Sequence, residues 1–209
     1  MKSYTIIIAM LISANSLFAQ TNYIFGDFTK ADGSKINGAS VAMGYQGQLI
    51  ISNYTGGTDN TATIEIEVPT GGYVADFRNM MNASSTIKQP VVNAQKVNAN
   101  INPNSLTNLN VPKTAIISPA QPTVFPSITI SVCKRGNDER SYYLQNKIIL
   151  QNVVIESCTD NGSTGKTLIK IRGARIGWFY NTYDPRSQKV SSSNKSGWDT
   201  ITGQAWNNF

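Results

Sequence analysis

The chain has 209 residues, enough for one domain with a substantial core, and its 40% hydrophobic and 14% charged residues indicate a globular rather than a disordered protein. It contains no histidine, which excludes a Ser-His-Asp triad, a Cys-His pair and the common zinc sites. The formal net charge is +6, but the positive residues are dilute and not interleaved with stacking aromatics, so we expect no nucleic acid partner.

The first residues have the pattern of a secretory signal peptide. Lys2 supplies a short charged region, an apolar stretch runs from Ile6 to Ile12, and Gln20 is the expected start of the mature chain. A buried first strand or a membrane anchor is the alternative, although the apolar run is short for a bilayer span. Removing residues 1–19 takes away one Lys and no acid, which lowers the charge from +6 to +5. We predict a secreted or periplasmic protein outside the membrane after cleavage, and a cytoplasmic one if the N-terminus is kept.

Strand and helix patterns follow in the first half of the mature chain. Residues 47–52 predict a short strand that ends in a turn-rich segment at 53–60. Apolar and polar residues alternate strictly over 62–68, which is typical of a half-buried strand. After a Thr-Gly-Gly break, apolar residues recur at helical spacing, so we predict one helix over 73–84.

Residues 85–126 differ from the rest of the chain because Asn, Gln and Pro are frequent and apolar residues occur singly. No acidic residue lies between Asp76 and Asp138. This composition predicts a long polar insertion with at most short strands. The insertion is either an irregular surface excursion or a contact surface for an acidic partner. The cations that would serve such a surface are Arg78, Lys88, Lys96 and Lys113.

The C-terminal part is rich in β-branched and aromatic residues, which indicates strands. Alternation predicts a strand over 127–132, a turn at 135–140 and then a long strand that completes a hairpin. A second turn at 159–165 leads into one further strand that runs through Trp178. We interpret the polar stretch between this tryptophan and Trp198 as an exposed loop tip, after which Gly197 lets the chain turn back so that Trp198 covers the edge of the strands.

No motif supports catalysis, a metal site or a cofactor site. Glu65 and Glu67 share one face of a strand, as a carboxylate pair could, but such alternation more often marks a solvated sheet face. The stretch at 160–166 lacks the spacing of a phosphate-binding loop and is interpreted as a turn. In an exported chain Cys133 and Cys158 either form a disulfide or remain two partly buried thiols. We therefore expect a non-enzymatic protein without a cofactor.

Residues 127–206 combine a strand ending in Val-Cys-Lys, a Tyr-rich long strand, an Ile-x-Trp-x-Tyr strand and a Gly-Trp-Asp sequence. This combination resembles the haemolysin-coregulated protein (Hcp) family, the tube protein of bacterial type VI secretion systems. Residues 32–57 are more weakly similar to the start of the family pattern, and the insertion has no counterpart in it. The positions that carry the resemblance most clearly are Val132, Cys133, Trp178, Tyr180, Gly197, Trp198 and Asp199.

The resemblance implies a mainly β fold, a small β-barrel of two packed antiparallel sheets with one α-helix, formed by a single domain over 20–209. It also implies a homo-hexameric ring, stacking of rings into a tube, and effector cargo, with spike and sheath components as partners. The chain would then be a structural secretion protein and not an enzyme. It departs from the family in its signal-like N-terminus and in the short turn at 53–60, where the family has an extended loop that helps rings to stack.

Ring closure requires that one flank of each subunit meets the opposite flank of the next. We expect strand-and-turn segments that mix apolar and hydrogen-bonding groups to supply these flanks. The candidate interface residues are Asn53, Tyr54, Gly56, Arg135, Asp138, Glu139, Arg140 and Tyr142. The alternative function is a secreted adhesin or glycan-binding module with the same fold, which would use exposed aromatics such as Tyr54, Tyr180 and Tyr183.

Overall fold

The structure, a computed structural model, covers most of the mature chain predicted from the sequence. Some predictions lie outside the described residues: the signal peptide, most of the polar insertion, and the interface residues Asp138, Glu139 and Arg140. Within the described part, no helix combines the length and the apolar content needed to cross a membrane. The described residues are 22–85, 125–136, 141–184 and 186–209.

One helix and ten strands form within the described ranges. The helix, α1, spans Val74–Ser85, close to the predicted 73–84. The strands are β1 (Asn22–Thr29), β2 (Leu49–Ile51), β3 (Asn53–Gly56), β4 (Thr63–Pro69), β5 (Phe125–Arg135), β6 (Tyr142–Asn161), β7 (Lys166–Arg172), β8 (Arg175–Tyr183), β9 (Val190–Asp199) and β10 (Gln204–Ala205).

Two antiparallel sheets share the long strand β6. The first sheet has the order β10-β9-β8-β6-β5-β1-β2, and in the second β3 pairs with β4, β4 with β7, and β7 with β6. The N-terminal part of β6 pairs with β8, whereas its C-terminal part pairs with β7. The predicted fold class, mainly β with two packed antiparallel sheets and one helix, is confirmed.

The barrel is not closed by strand pairing all the way round. Only Ser52 separates β2 from β3, yet β2 pairs with β1 and β3 pairs with β4. The Ser52 N–H donates to the carbonyl oxygen of Glu67 at 2.7 Å and links this corner to β4. The two sheets therefore meet through a bend in the chain at Ser52, without a continuous ladder across the bend.

Alternation along the strands builds the core between the two sheets. On β4 the apolar face is fully buried and the Glu face is partly exposed, as the sequence pattern predicted. Burying each large aliphatic side chain stabilises the fold by about 1.5–3 kcal/mol. The strand residues that form the centre of this core are Ile64, Ile66, Ile128, Ile130, Leu150, Ile169 and Ile171.

Helix α1 closes one side of the core with an aromatic contact. Phe77 is fully buried, and its ring lies 5.2 Å from that of Phe28 and 5.8 Å from that of Phe125, measured between centroids. On the same helix the Arg78 guanidinium pairs with the Asp160 carboxylate at the end of β6, at 2.5 Å. The helix is thus held to the sheet by an apolar anchor and an ion pair.

Several strands differ from the sequence prediction. Strand β1 was not predicted, because its apolar residues do not alternate regularly. The single strand predicted after the turn at 159–165 is broken at Gly173 and Ala174 into β7 and β8. The predicted loop tip before Trp198 is wrong over most of its length. It forms the end of β8 and the polar strand β9, which pairs with β8 along the backbone and adds a hydrogen bond from the Ser191 hydroxyl to the Thr182 carbonyl oxygen at 3.0 Å.

The two cysteines are free thiols. Cys133 on β5 lies opposite Leu144 on β6, whereas Cys158 on β6 lies opposite Ile169 on β7. The two positions lie towards different ends of β6, far beyond the ~7 Å that the Cα atoms of a disulfide can span. Of the two alternatives left open by the sequence, the structure shows the unpaired thiols.

Candidate functional site

The Gly-Trp-Asp sequence lies at the end of β9 and pairs with the start of β8. Gly197 is opposite Gly177, and Trp198 is opposite Ile176. Trp198 is partly buried and packs against the core, so its location beside the core agrees with the prediction. The glycine before it does not make a turn, however, because Gly197 lies inside the strand.

The two paired glycines form the floor under a C-terminal segment, residues 206–209. A Cβ atom at Gly197 would lie 2.2 Å from the Trp206 carbonyl oxygen, and one at Gly177 would lie 2.9 Å from the Phe209 ring. The Trp206 N–H donates to the Gly197 carbonyl oxygen at 2.9 Å, and Trp206 is only 7% exposed. Glycine is required here so that the C-terminal segment can lie directly on the sheet.

Asp199 forms hydrogen bonds that connect the start of β8 with the turn after β9. Its carboxylate accepts hydrogen bonds from Arg175 Nε at 2.8 Å and from the N–H groups of Ile201 and Thr202 at 2.9 and 3.0 Å. The hydrogen bond from Arg175, followed by the N–H of Thr202, lowers the pKa of Asp199. The Arg175 guanidinium also lies over the Trp206 ring, 6.0 Å from its centroid. Asp199 thus links the start of β8, the end of β9 and the turn that follows it.

The Val132-Cys133 part of the motif lies on β5, with the thiol under an aromatic cluster. Cys133 is fully buried, and burial raises the pKa of its thiol. The cluster consists of Tyr23, Phe25, Tyr45 and Tyr142, with Phe25 stacked on Tyr45 at 4.5 Å and edge-on to Tyr142 at 5.4 Å. Tyr142, predicted for the ring interface, therefore contributes to contacts within the subunit.

Three tyrosines were candidates for an exposed recognition surface. Tyr54 packs against the core, and the Tyr183 hydroxyl donates to the Leu144 carbonyl oxygen at 2.9 Å. Tyr180 is 48% exposed on β8. Two strand positions away, Trp178 Nε1 donates to the Gly57 carbonyl oxygen and joins the two sheets. Only Tyr180 of the three is thus largely available to a partner.

The remaining predicted interface residues lie at two separate places. Asn53, Tyr54 and Gly56 belong to β3, which pairs with β4 alone among the described residues, so its other edge has no strand partner in that part of the chain. Asn53 and Gly56 are exposed. Arg135 ends β5 in the other sheet. The structure does not bring these groups together in one subunit, as is expected for residues on two different flanks.

A further surface was missed at the sequence level. The connection between β1 and β2 is longer than the 53–60 turn, and near its tip Val41 is 92% and Met43 is 71% exposed. Ile50, on the outer side of β2, is 44% exposed. The signal that could have revealed this surface is the lack of charge, because residues 36–58 contain no charged side chain. An uncharged tip with exposed apolar residues is typical of a protein contact.

The described residues provide no metal site, since no three His, Cys, Asp or Glu side chains converge among them. Glu67 forms an ion pair with Lys166, and Glu65 lies opposite Lys170 on β7. The two glutamates therefore belong to a charged, solvated sheet face, as the sequence indicated. Nothing in this arrangement resembles a pair of catalytic carboxylates.

Solved structures match the whole described architecture. A type six secretion system protein aligns with a TM-score of 0.60 at 11% identity, covering 89% of this chain and 100% of its own. Hcp1 from Salmonella typhimurium aligns with a TM-score of 0.56 at 8% identity, covering 88% and 99%. Hcp2 from the same organism aligns with a TM-score of 0.53 at 10% identity, covering 87% and 98%. The chain has the Hcp fold.

The Hcp fold predicted by resemblance is thus confirmed from geometry. No protein-family model matches the sequence. No curated protein matches it either. At such low identities the likeness concerns the backbone, which the glycine floor and the aromatic cluster help to hold in this chain.

Proposed function

We propose that the chain is a non-enzymatic, Hcp-like structural subunit that assembles into homo-hexameric rings. The observation that carries the proposal is the alignment with Hcp1 from Salmonella typhimurium over 99% of that protein's length, with a TM-score of 0.56. The absence of histidine and the charged, solvated environment of Glu65 and Glu67 support a structural role over a catalytic one. We further propose that rings stack and carry effector proteins, with spike and sheath components as partners.

Two features of the surface suit repeated contacts between copies. The open edge of β3 exposes backbone groups that a neighbouring subunit can satisfy, and such edges are natural flanks of a ring. The tip bearing Val41 and Met43 offers apolar surface with no charge to desolvate. We assign the β3 edge to contacts within a ring and the tip to contacts between copies in adjacent rings.

The decisive experiment is the oligomeric state of the chain lacking residues 1–19. Sedimentation velocity over a wide concentration range should show a hexamer or a multiple of it, with circular dichroism confirming the β fold. A monomer at every accessible concentration overturns the ring proposal. Expression in a Gram-negative host tests the proposed export, because a mature chain of the expected mass should appear outside the cytoplasm.

The tip can be tested separately with exposed residues. Val41→Ser combined with Met43→Ser should leave the fold intact and weaken association of rings at least about tenfold, since burying each such side chain contributes about 1.5–3 kcal/mol. Ile201→Ser is the matched control, because Ile201 is 78% exposed in a different turn. Equal association of the two variants would remove the tip from the interface.

A glycan-binding or adhesin function is the second candidate, favoured by one observation. Tyr180 exposes nearly half of its surface beside the polar strand β9, as sugar-stacking aromatics do. A glycan array with the wild-type protein and with Tyr180→Ala tests this candidate. Binding that disappears in the variant would support it, and no binding by the wild-type protein would reject it.

A further inference from the structure

Two Asn-Gly pairs occur in the sequence, at Asn37-Gly38 and at Asn161-Gly162. In such pairs the backbone nitrogen of the glycine can attack the side-chain carboxamide of the asparagine. Glycine favours the reaction because it has no Cβ to hinder the approach. Both asparagines are exposed, so exposure alone does not distinguish them. The hydrogen bonds around them do.

We propose that Asn161 is a site of spontaneous deamidation in the folded protein and that Asn37 is protected. In the first step the Gly162 nitrogen loses its proton to solvent and forms a bond to Asn161 Cγ, while the Cγ–Nδ2 bond breaks and ammonia leaves. Water then opens the resulting cyclic imide to aspartate or isoaspartate. Water is the one co-reactant, and no oxidant or enzyme is required.

The turn after β6 prepares Asn161 for this attack. Its Oδ1 accepts hydrogen bonds from the Ser163 N–H at 3.2 Å and from the Ser163 hydroxyl at 2.7 Å. These bonds fold the side chain over the following backbone in an Asx-turn. Two donors on Oδ1 also stabilise the negative charge that develops on this oxygen when Cγ is attacked. Asn161 is therefore held in place and activated at the same time.

The nucleophile is also free to react. In the described part of the chain the Gly162 N–H donates no hydrogen bond. A Cβ atom added at Gly162 would meet nothing within 4 Å, which shows that this peptide group has open space around it. The Gly162 nitrogen can therefore lose its proton without breaking a hydrogen bond of its own; in the same peptide group, the Asn161 carbonyl oxygen accepts from the N–H groups of Thr164 and Gly165.

Asn37 lies in the opposite situation. The Gly38 N–H donates to the Gly47 carbonyl oxygen at 2.7 Å. A Cβ atom at Gly38 would lie 2.1 Å from the Gln48 carbonyl oxygen, so the backbone here is tightly packed. Attack by this nitrogen requires that the hydrogen bond is broken and the strand-like contact is opened. The free energy needed to break this hydrogen bond should by itself slow the reaction at Asn37 about tenfold.

Deamidation at Asn161 would place a new carboxylate beside a charged cluster. The neighbouring Asp160 accepts from the Thr167 hydroxyl at 2.9 Å and pairs with Arg78 of α1. The product carries one more negative charge next to this pair, and the isoaspartate form also lengthens the backbone at the end of β6. The change alters the surface of the β6–β7 turn without touching the core.

The test compares the two sites within one molecule. The mature protein is incubated in mildly alkaline buffer at physiological temperature, and peptide mapping by mass spectrometry follows exchange of the amide NH₂ for OH at each asparagine. We expect at least about tenfold faster modification at Asn161 than at Asn37 in the folded protein. In denaturant the two Asn-Gly pairs should react at similar rates, because the hydrogen bonds that distinguish them are lost.

Two variants test separately the effect of the missing Cβ at Gly162 and that of the Ser163 hydroxyl donor. Gly162→Ala fits the open space and should strongly slow reaction at Asn161, whereas Ser163→Ala removes the hydroxyl donor but keeps the N–H and should slow it partially. Equal or faster modification of Asn37 in the folded protein would overturn the proposal. Unchanged rates in both variants would overturn it as well, since the reaction would then not depend on this turn.

Discussion

Gly197→Ala is the substitution that most directly tests how the C-terminal segment is held. The new methyl group would lie 2.2 Å from the Trp206 carbonyl oxygen, 2.7 Å from the Phe209 ring and 3.1 Å from the Ile176 carbonyl oxygen. Two of these three contacts are with backbone atoms, which cannot rotate away as the end of a side chain can. Residues 206–209 must therefore lift off the sheet to admit the methyl group.

The loss of stability in Gly197→Ala follows from the contacts that break when residues 206–209 lift off the sheet. The hydrogen bond from the Trp206 N–H to the Gly197 carbonyl oxygen contributes about 1 kcal/mol. Trp206 is 7% exposed, and complete loss of such a buried aromatic costs about 3–5 kcal/mol. Because the segment moves but does not leave, we expect a loss of about 2–4 kcal/mol in the free energy of unfolding. For a domain of this size that lowers Tm by roughly 5–15 °C.

Chemical denaturation followed by tryptophan fluorescence and circular dichroism measures this loss. Gly177→Ala is the graded control, because the three atoms nearest to its methyl group would all belong to the Phe209 ring, at 2.9 Å, and a side chain can move. Gly72→Ala is the neutral control, since nothing lies within 4 Å of its added Cβ. The expected order of destabilisation is Gly197→Ala, then Gly177→Ala, then Gly72→Ala, with the last within about 0.5 kcal/mol of wild type.

A Gly197→Ala protein as stable as the Gly72→Ala protein would refute the reasoning. That result would mean that the C-terminal segment is not packed on the glycine floor in solution. A second check is non-additivity: in a Trp206→Ala background, where packing of the segment is already weakened, Gly197→Ala should cost less than in the wild-type background.

Further predictions concern ionisation and the thiols. The pKa of Asp199 is lowered in the folded state, so its contribution to stability is present above the unfolded value of about 3.9 and is lost as pH falls through the folded pKa. Asp199→Asn should therefore flatten the acid limb of a stability–pH profile, and an unchanged acid limb would contradict this. Cys158 should react with a thiol reagent faster than fully buried Cys133, and a reducing agent should leave Tm unchanged. A fall in Tm on reduction would reveal a disulfide.

The fold class follows from local patterns that the sequence displays directly. Strict alternation over 62–68 predicts the buried face of β4, and helical spacing after the Thr-Gly-Gly break predicts α1 within one residue at each end. These elements were predictable because side-chain direction in a strand or helix depends only on sequence period. The Val-Cys-Lys and Gly-Trp-Asp motifs likewise indicate the Hcp fold by resemblance.

Strand β9 and the tip near Val41 could not be found in this way. β9 is mostly exposed and rich in Ser, so it has no apolar alternation and forms because β8 satisfies its backbone groups. The tip is exposed although it is apolar, with Val41 and Met43 both largely accessible, so its exposure does not follow from its composition. In neither place does the apolar pattern of the segment decide where it lies in the fold.

The sequence by itself determined the β class, the position of the helix and the motif residues, because each depends on a short local pattern. Only the tertiary structure decided why Gly177 and Gly197 are glycines and which Asn-Gly pair has a free nitrogen. The reason is physical. The need for glycine at 177 and 197 depends on where residues 206–209 lie, and the reactivity of an Asn-Gly pair depends on whether a carbonyl oxygen from another segment accepts the glycine N–H. Close packing and hydrogen bonds between remote segments exist only once the chain has folded.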